Sequence, residues 1–392
     1  MIKEMQKNFQ QNIREYGMYI AFFAIIVFFT ISTNGLFLSP RNIGNLLNAT
    51  SYIAVLAVGM TLVIVIRHID LSVGFLAGFL GAVAAIALKY WELPVYVTIP
   101  FVMALGILAG LITAFMVAQL NIPAFVATLA GALVYRGLLQ TVTAGTGTII
   151  IADELFNAIG NDFVPEIPGL AILPELQKTT LLLGIIAIML FVRGEISNRR
   201  KTQAYHFEVL PMNMFILKLG IGSALIGGIA WLLAGYQGLT WASVVLLILV
   251  GFYSFVTTKT VTGRHIYAVG GNPEAAQLSG ISVKNITYLV FGSMGFLTAV
   301  SGILYASWLR SATTTAGTLF ELDAIAAAFV GGVAVAGGVG KVTGSIIGAL
   351  VMASLTNGMN LMGIDISSQY IVRGLVLASA VIFDVTTRKR AK

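Results

Sequence analysis

Two long stretches of this chain contain no charged residue, and they restrict its fold more than any other feature. Residues 93–135 and 219–258 include no Asp, Glu, Lys or Arg. A helix that crosses a membrane needs about 20 consecutive apolar residues, so each stretch has room for two. Pro123 and the segment Gly235-Tyr-Gln-Gly238 mark the expected breaks. Together with shorter charge-free runs, the pattern predicts an all-α, polytopic membrane helical bundle; those runs are 16–40, 42–66, 71–88, 285–309 and 342–364.

The composition agrees with a chain that faces lipid. Hydrophobic residues make up 58% of its 392 residues and charged residues 10%, against roughly 25% charged in soluble domains. The absence of cysteine excludes disulfides and thiolate metal sites. The polar segment 1–14 has no cleavable signal pattern, so we expect the first apolar run to remain as a helix.

We expect about twelve transmembrane helices, and not fewer than ten, in a single domain covering 1–392. The predicted spans are 17–37, 50–66, 70–88, 94–118, 122–143, 179–193, 214–234, 239–258, 286–307, 322–338, 342–361 and 369–385. The third, sixth and tenth have the weakest pattern, and broken or re-entrant helices are allowed there if protein or a watery cavity surrounds the backbone. The segment 145–178 is predicted to be an extracytoplasmic loop.

Charges are distributed unequally between the predicted loops. The loop 145–178 carries five carboxylates and a single cation, Lys178, whereas the segments 199–201, 259–284 and 388–392 are rich in Lys and Arg. Short cytoplasmic loops of membrane proteins carry an excess of Lys and Arg. An even number of spans with both termini in the cytoplasm satisfies this rule at every long loop.

The loop 262–283 is expected to contain a helix of about two turns. Asn272 can cap it, Pro273 suits its first position, and Glu274 complements the positive end of the helix dipole. Gly280 can provide a left-handed stop. So short a helix is marginal alone, and we expect a partner surface to stabilise it. A connector lying on the membrane surface fits the same pattern.

Several segments resemble one family of transport proteins. Glu274-Ala-Ala276 followed by Gly280 is similar to the motif by which permease subunits of bacterial ATP-binding-cassette importers engage their ATPases. A wider set of segments resembles the ribose, xylose and multiple-monosaccharide permeases. These segments are Gly263-Arg264, the string from Tyr267 to Ile281, Leu56-Ala-Val-Gly-Met60, Ile69-Asp-Leu-Ser-Val-Gly74, Pro123-Ala-Phe-Val-Ala-Thr-Leu-Ala-Gly131, Glu321-Leu-Asp-Ala-Ile-Ala326 and Gly337-Gly-Val-Gly340. An insertion near 145–240 favours the longer xylose and multiple-monosaccharide branch.

The resemblance implies a permease subunit that moves a monosaccharide, xylose or several pentoses and hexoses, across the bacterial cytoplasmic (inner or plasma) membrane. It implies a cytoplasmic ATPase that binds ATP and Mg, an extracytoplasmic sugar-binding protein and a second permease copy in a homodimer. The chain itself would bind no cofactor and would not be an enzyme. The residues expected to couple it to the ATPase lie in the coupling segment 262–283 and are Gly263, Asn272, Pro273, Glu274, Ala275, Ala276 and Gly280.

Polar residues within or beside the predicted spans are candidates for the sugar path. Ionisable groups at membrane depth are costly and usually face a cavity or a partner. The candidates are Arg67, His68, Asp70, Ser72, Asn121, Arg136, Asp323 and Asn357. Structural roles are open as well, because Arg67 can reach the membrane surface, Asp70 can cap the next helix, and the side chains of Arg136 and Asn357 can bond within the bundle.

Two other classes of function fit less of the sequence. A proton-coupled secondary sugar transporter or a channel would need no ATPase, and buried carboxylates such as Asp70 and Asp323 would serve the former. An intramembrane enzyme is disfavoured because the chain has no GxSxG elbow, HExxH motif or paired catalytic carboxylates. Gly340-Lys341-Val342 lacks the Ser or Thr that a nucleotide-binding loop places after its lysine.

Overall fold

The computed structural model describes residues 13–145, 147–167, 176–205 and 209–390, which are almost entirely helical. Helices predominate because lipid offers no partner to backbone amides, and a helix satisfies them locally. A 3-10 turn at Leu36–Leu38 and two short strands complete the fold. The helices are α1 Ile13–Ser32, α2 Pro40–Val65, α3 Val73–Lys89, α4 Val95–Ala118, α5 Ala124–Thr143, α6 Glu154–Asn161, α7 Lys178–Ala204, α8 Met212–Ala234, α9 Trp241–Lys259, α10 Val261–Gly271, α11 Pro273–Leu278, α12 Val283–Leu309, α13 Phe320–Val330, α14 Val342–Leu361 and α15 Ile366–Arg390.

The predicted helical bundle is confirmed. Within the described residues, nine helices are long and apolar enough to cross a membrane, namely α2, α4, α5, α7, α8, α9, α12, α14 and the Ile366–Thr386 part of α15. Shorter apolar helices, Met18–Ser32 in α1 and Val73–Lys89, occupy the first and third predicted spans. The sixth span, expected to be short, is part of the 27-residue helix α7.

The tenth predicted span, 322–338, is a broken helix, one of the two forms that its weak pattern allows. α13 ends at Val330 after 11 residues, about 16 Å at 1.5 Å per residue and well short of the roughly 30 Å hydrocarbon core. The chain then continues through turns to Lys341, with Gly332, Gly337 and Gly338 at positive φ. Glycine adopts this backbone readily, whereas other residues rarely do, and the helix cannot extend through it.

The centre of the bundle is formed by α2 and α12, which are buried over most of their length. α12 packs against α3 and α4. Gly106 of α4 and Gly295 of α12 approach so closely that a Cβ on either one would meet the backbone carbonyl of the other. Small residues permit this close contact between transmembrane helices, where packing rather than a hydrophobic gradient holds helices together.

One end of α12 carries a small cap that the sequence did not predict. Strand β1 (Thr148–Ile150) pairs antiparallel with strand β2 (Ser311–Thr313), and Ile149 lies opposite Ala312. The last turn of α6 is tied to α12, because Gly160 N–H donates to Ser307 Oγ at 2.7 Å and Asn161 Nδ2 donates to the Ser307 carbonyl at 2.7 Å. These contacts hold β1 and α6 over the end of α12.

The chain divides into two compact units. The first comprises the described residues within Met1–Phe37, Leu46–Asn161 and Ala242–Lys392, and the second those within Leu38–Asn45 and Asp162–Trp241. In the second unit α7 packs against α8. Phe163 pairs with Thr240 in an isolated antiparallel bridge, which joins the two ends of that segment.

Candidate coupling and substrate sites

The short helix predicted in the loop between α9 and α12 is confirmed as α11. Asn272 Oδ1 accepts a hydrogen bond from Ala275 N–H at 3.0 Å and caps the helix, and Pro273 occupies its first turn. Gly280 has a φ of +84°, the left-handed stop that was expected. Each of these features depends on residues within one or two turns, which is why the local sequence predicts them.

The two faces of α11 differ in exposure. Ala276 is buried against its own chain, whereas Glu274 and Ala275 are exposed. Leu278 is 90% exposed, the extreme among large apolar side chains in the described part of the chain. Leu278 therefore makes almost no contact within its own chain.

α11 continues from α10 with a single residue, Asn272, between the two helices. α10 begins at a sharp turn after α9, where Gly263 N–H donates to Thr260 Oγ1 at 3.1 Å. Gly263 lies against the carbonyl groups of Val256 and Thr257, so a side chain there would collide with backbone. The sequence did not predict α10 as a separate helix.

The far end of α10 contacts two other segments, and we call this contact the three-segment junction: residues 65–67, 267–271 and 337–340. Arg67 Nε donates to the Gly270 carbonyl at 2.6 Å, and its Nη2 donates to the Gly271 carbonyl. Gly338 N–H donates to the Val65 carbonyl at 2.8 Å. Tyr267 Oη donates to the Gly340 carbonyl at 2.5 Å.

The junction therefore joins the end of α2, the end of α10 and the break after α13 through hydrogen bonds to backbone carbonyls. The carbonyls of Gly270 and Gly271 lie at the C-terminal end of α10, where they have no partner within the helix, and the guanidinium of Arg67 satisfies both. Arg67 itself has a φ of +66°, the left-handed conformation that turns the chain at the end of α2.

The rest of the turn between α2 and α3 is held locally. Asp70 Oδ1 accepts hydrogen bonds from Ser72 N–H at 2.9 Å and Ser72 Oγ at 2.6 Å, next to the start of α3. Burial raises the pKa of Asp70 and the two bonds from Ser72 oppose that rise. His68 packs near the ring of Phe291, and burial lowers its pKa.

The other path candidates lie in separate places. Asn121 is exposed at the turn between α4 and α5 with a φ of +54°, and the Arg136 guanidinium lies over the Phe75 ring at 5.4 Å. Asn357 is half-buried on α14, where it has an interaction partner. Asp323 forms an ion pair with Arg373 of α15. The eight candidates do not form one cluster.

Arg373 is a polar residue that sequence reasoning missed. A signal was present, because Arg373 is the only charged residue in the first 18 positions of α15, and a lone cation in an apolar span indicates a partner. Within the described residues no group of His, Asp and Glu could hold a metal ion.

Comparison with known proteins identifies the type of transporter. A family model described as the permease component of branched-chain amino acid transport systems matches residues 42–164 and 170–381. The chain belongs to this permease family. The resemblance to sugar permeases of ATP-binding-cassette importers is thereby confirmed, and the permease is a transport subunit, not an enzyme.

Curated relatives match the permease over nearly its whole length. It is 40% identical to the xylose transport system permease protein XylH of Haemophilus influenzae, across 97% of this chain and 98% of the relative. It is 38% identical to XylH of Escherichia coli K12, across 97% and 94%, and 35% identical to the ribose import permease protein RbsC of Haemophilus influenzae, across 98% of each. No solved structure matches it significantly.

Membership of this family fixes the general setting. The permease is a multi-pass protein of the inner membrane, and its long apolar helices agree with this. A permease of this kind works with an ATPase and with a sugar-binding protein.

Proposed function

We propose that two identical copies of this permease carry xylose or a related monosaccharide into the cytoplasm, with both termini on the cytoplasmic side. Relatives at 40% and 35% identity are named for xylose and ribose transport. Monosaccharides are neutral, so their path needs hydrogen-bonding and aromatic side chains rather than fixed charge, which suits a chain with 10% charged residues. ATP and Mg would bind the partner ATPase, and no cofactor would bind this chain.

In this proposal α11 is the element that the ATPase contacts. The observation that carries it is Leu278, which is 90% exposed at the end of a six-residue helix. A helix of that length is marginal in water, and an apolar side chain on its outer face gains from burial against a partner. Its capping by Asn272 gives it a defined direction.

The three-segment junction supplies the route by which movement of α11 would reach the membrane. α10 connects α11 to Arg67, and Arg67 belongs to the turn that follows α2. Gly338 and Gly340 bring in the segment after α13. A displacement of α11 would therefore act on the end of the buried helix α2 and on the broken helix together.

The test uses the permease reconstituted in vesicles with the ATPase and a sugar-binding protein. Wild type should take up xylose only with ATP present. Glu274→Arg, which places a cation at the positive end of α11, should abolish ATPase binding and uptake. Gly280→Pro should do the same, because proline cannot adopt a φ of +84° or donate the N–H that Gly280 gives to the Gln277 carbonyl at 3.0 Å.

The control is Gln277→Ala, an exposed position on the same helix outside the motif, which should retain both activities. Circular dichroism of each purified variant verifies that the bundle has folded. Co-purification of the ATPase with both Glu274→Arg and Gly280→Pro, together with normal uptake, would contradict the coupling role of α11.

Proton coupling receives little support from the two carboxylates that suggested it. Asp70 accepts two hydrogen bonds from Ser72, and Asp323 is paired with Arg373. We therefore expect uptake to continue when the proton gradient is collapsed by an ionophore and to stop when the ATPase is omitted. Uptake by vesicles containing the permease alone would favour a secondary transporter.

A further inference from the structure

Four aromatic side chains from three helices pack against one another in the first unit. Tyr52 of α2 lies 5.0 Å from Tyr305 and 5.0 Å from Phe320 between ring centroids, and Tyr305 lies 4.9 Å from Phe320. Trp308, one turn after Tyr305 on α12, lies 6.0 Å from Tyr52. We call these four residues the aromatic cluster.

The cluster reaches the molecular surface. Phe320 is buried, whereas Tyr52, Tyr305 and Trp308 are half-buried. Within the described part of the chain, the two tyrosine hydroxyls and the indole N–H have no hydrogen-bond partner, and none of the three is among the fully enclosed polar atoms. Buried tyrosine and tryptophan normally find a partner for these groups. Here two phenol hydroxyls and one indole N–H have no such partner and lie beside apolar ring surfaces.

An ion pair adjoins the cluster. Asp323 lies three residues after Phe320 on α13 and pairs with Arg373 of α15. Each side chain of the pair retains about a fifth of its exposure, 22% for Asp323 and 19% for Arg373. Charged groups within spanning segments face a cavity, a water path or a partner rather than lipid.

Asp323, the acidic member of this pair, lies on the broken helix α13. Non-helical backbone at membrane depth, such as the segment 331–341 after α13, is tolerated where protein surrounds it or where it lines a cavity. Discontinuous helices supply substrate sites in other membrane transporters for this reason. The interrupted backbone after α13 and the polar side chains beside the aromatic cluster therefore indicate the same region, around α13.

From this arrangement, and resting on the function proposed above, we infer that Tyr52, Tyr305, Trp308 and the Asp323–Arg373 pair form the surface that contacts the monosaccharide during transport. A sugar ring is polar at its rim and apolar on its C–H faces. Aromatic rings match the faces, while phenol, indole, guanidinium and carboxylate groups match the hydroxyls. Few polar groups set among aromatic ones are the usual composition of a small-molecule site.

The decisive variants remove one hydroxyl and leave the ring in place. Tyr52→Phe and Tyr305→Phe delete groups that make no internal hydrogen bond, so folding should be unaffected. In vesicles holding the complete transporter, with a saturating loaded binding protein, xylose uptake should fall about two- to tenfold, the value of one hydrogen bond. ATP hydrolysis should be unchanged, so fewer sugars move per ATP.

The matched control is Tyr253→Phe, whose hydroxyl is bonded within the chain to Ser293 Oγ at 2.6 Å; uptake per ATP should stay at the wild-type value. Deoxy analogues of xylose supply a readout that a packing role would not change. One analogue should be transported more slowly than xylose by wild type, but at the same rate as xylose by Tyr52→Phe or Tyr305→Phe, because the partner of its missing hydroxyl is already gone.

The ion pair is tested by the neutral double variant Asp323→Asn/Arg373→Gln, which leaves no unpaired charge in the bundle and should alter the ratio of xylose to ribose uptake. If this variant fails to insert into the membrane, the two tyrosine variants alone test the inference. Wild-type uptake per ATP and wild-type discrimination among sugars in both tyrosine variants would overturn the inference. Absence of ATP-dependent uptake by wild type itself would overturn the proposed function instead.

Discussion

Gly270 lies at the centre of the three-segment junction because it has no side chain. A Cβ there would collide with the Val65 carbonyl, whereas a Cβ on the neighbouring Gly271 would meet nothing within 4 Å. Gly270→Ala should therefore destabilise the permease by about 1–3 kcal/mol, as overpacking does, and Gly271→Ala should have little effect. Thermal unfolding of both purified variants measures the difference. Equal unfolding temperatures for the two variants would mean that the junction can widen around a side chain at position 270 without loss of stability.

Arg67 holds the junction through the shape of its guanidinium. One fork reaches the carbonyls of both Gly270 and Gly271, and lysine offers a point charge in place of that geometry. Arg67→Lys should retain ATPase binding through α11 but lower sugar uptake per ATP by about tenfold or more, the scale of one charge-assisted hydrogen bond. Arg264→Lys, the same exchange at an exposed position of α10, should leave the ratio unchanged.

Single residues differ in how far the sequence predicts their surroundings. The place of Asp70 before α3 predicts a helix cap, but Ser72 occupies the cap position, and Asp70 bonds Ser72 rather than an N–H group within α3. Arg67 was expected either at the membrane surface or on the path, yet its partners lie more than 200 residues later in the chain. No local pattern contains that information. Arg373 is visible in the sequence as a lone cation, but its partner Asp323 lies 50 residues earlier in the chain and no local pattern names it.

At the scale of elements, the requirement that a helix satisfy its own backbone in lipid made most spans predictable from charge-free runs. The elements that were missed depend on contacts across the chain. β1 and β2 are separated by 160 residues in the sequence, and no local pattern indicates that they pair. The end of α13 at Val330 was not located either, because it coincides with a contact across the chain, between Gly331 and Gly344 of α14.

The exposed end of α11 leads to a prediction about this element as a whole. Leu278→Asp replaces an apolar side chain that contacts almost nothing in its own chain, so the unfolding temperature should not change. Binding of the ATPase should weaken at least tenfold, because burial of a leucine contributes about 1.5–3 kcal/mol. Val261→Ala, at an exposed apolar position of α10, is the control. A wild-type binding constant for Leu278→Asp would show that the ATPase contacts another element.

At the scale of the whole molecule, the second unit coincides closely with the insertion recognised in the sequence. That insertion was placed near 145–240, and the unit includes 162–241 with α7 and α8. The apolar patterns of these two helices were readable individually, since each is long enough to span a membrane. Their association into a unit of their own follows from the packing of α7 on α8.

The absence of cysteine from the chain allows its orientation to be measured directly. Ser279, beside α11, and Met362, between α14 and α15, are exposed, and the proposed topology puts them on opposite sides of the membrane. In spheroplasts, whose inner membrane is still sealed, an impermeant thiol reagent should label Met362→Cys immediately. It should label Ser279→Cys only after the membrane is opened.

Labelling of Met362→Cys also tests whether the broken segment 322–338 crosses the membrane, because the side of the membrane on which Met362 lies depends on that crossing. Gly338 and Gly340 bond to Val65 and Tyr267, which requires the chain to complete its crossing after α13 although only 11 residues of that segment are helical. α14 then crosses back. Protection of Met362→Cys in the same preparation would mean that the segment returns to its starting side, and the three-segment junction would not exist in the membrane.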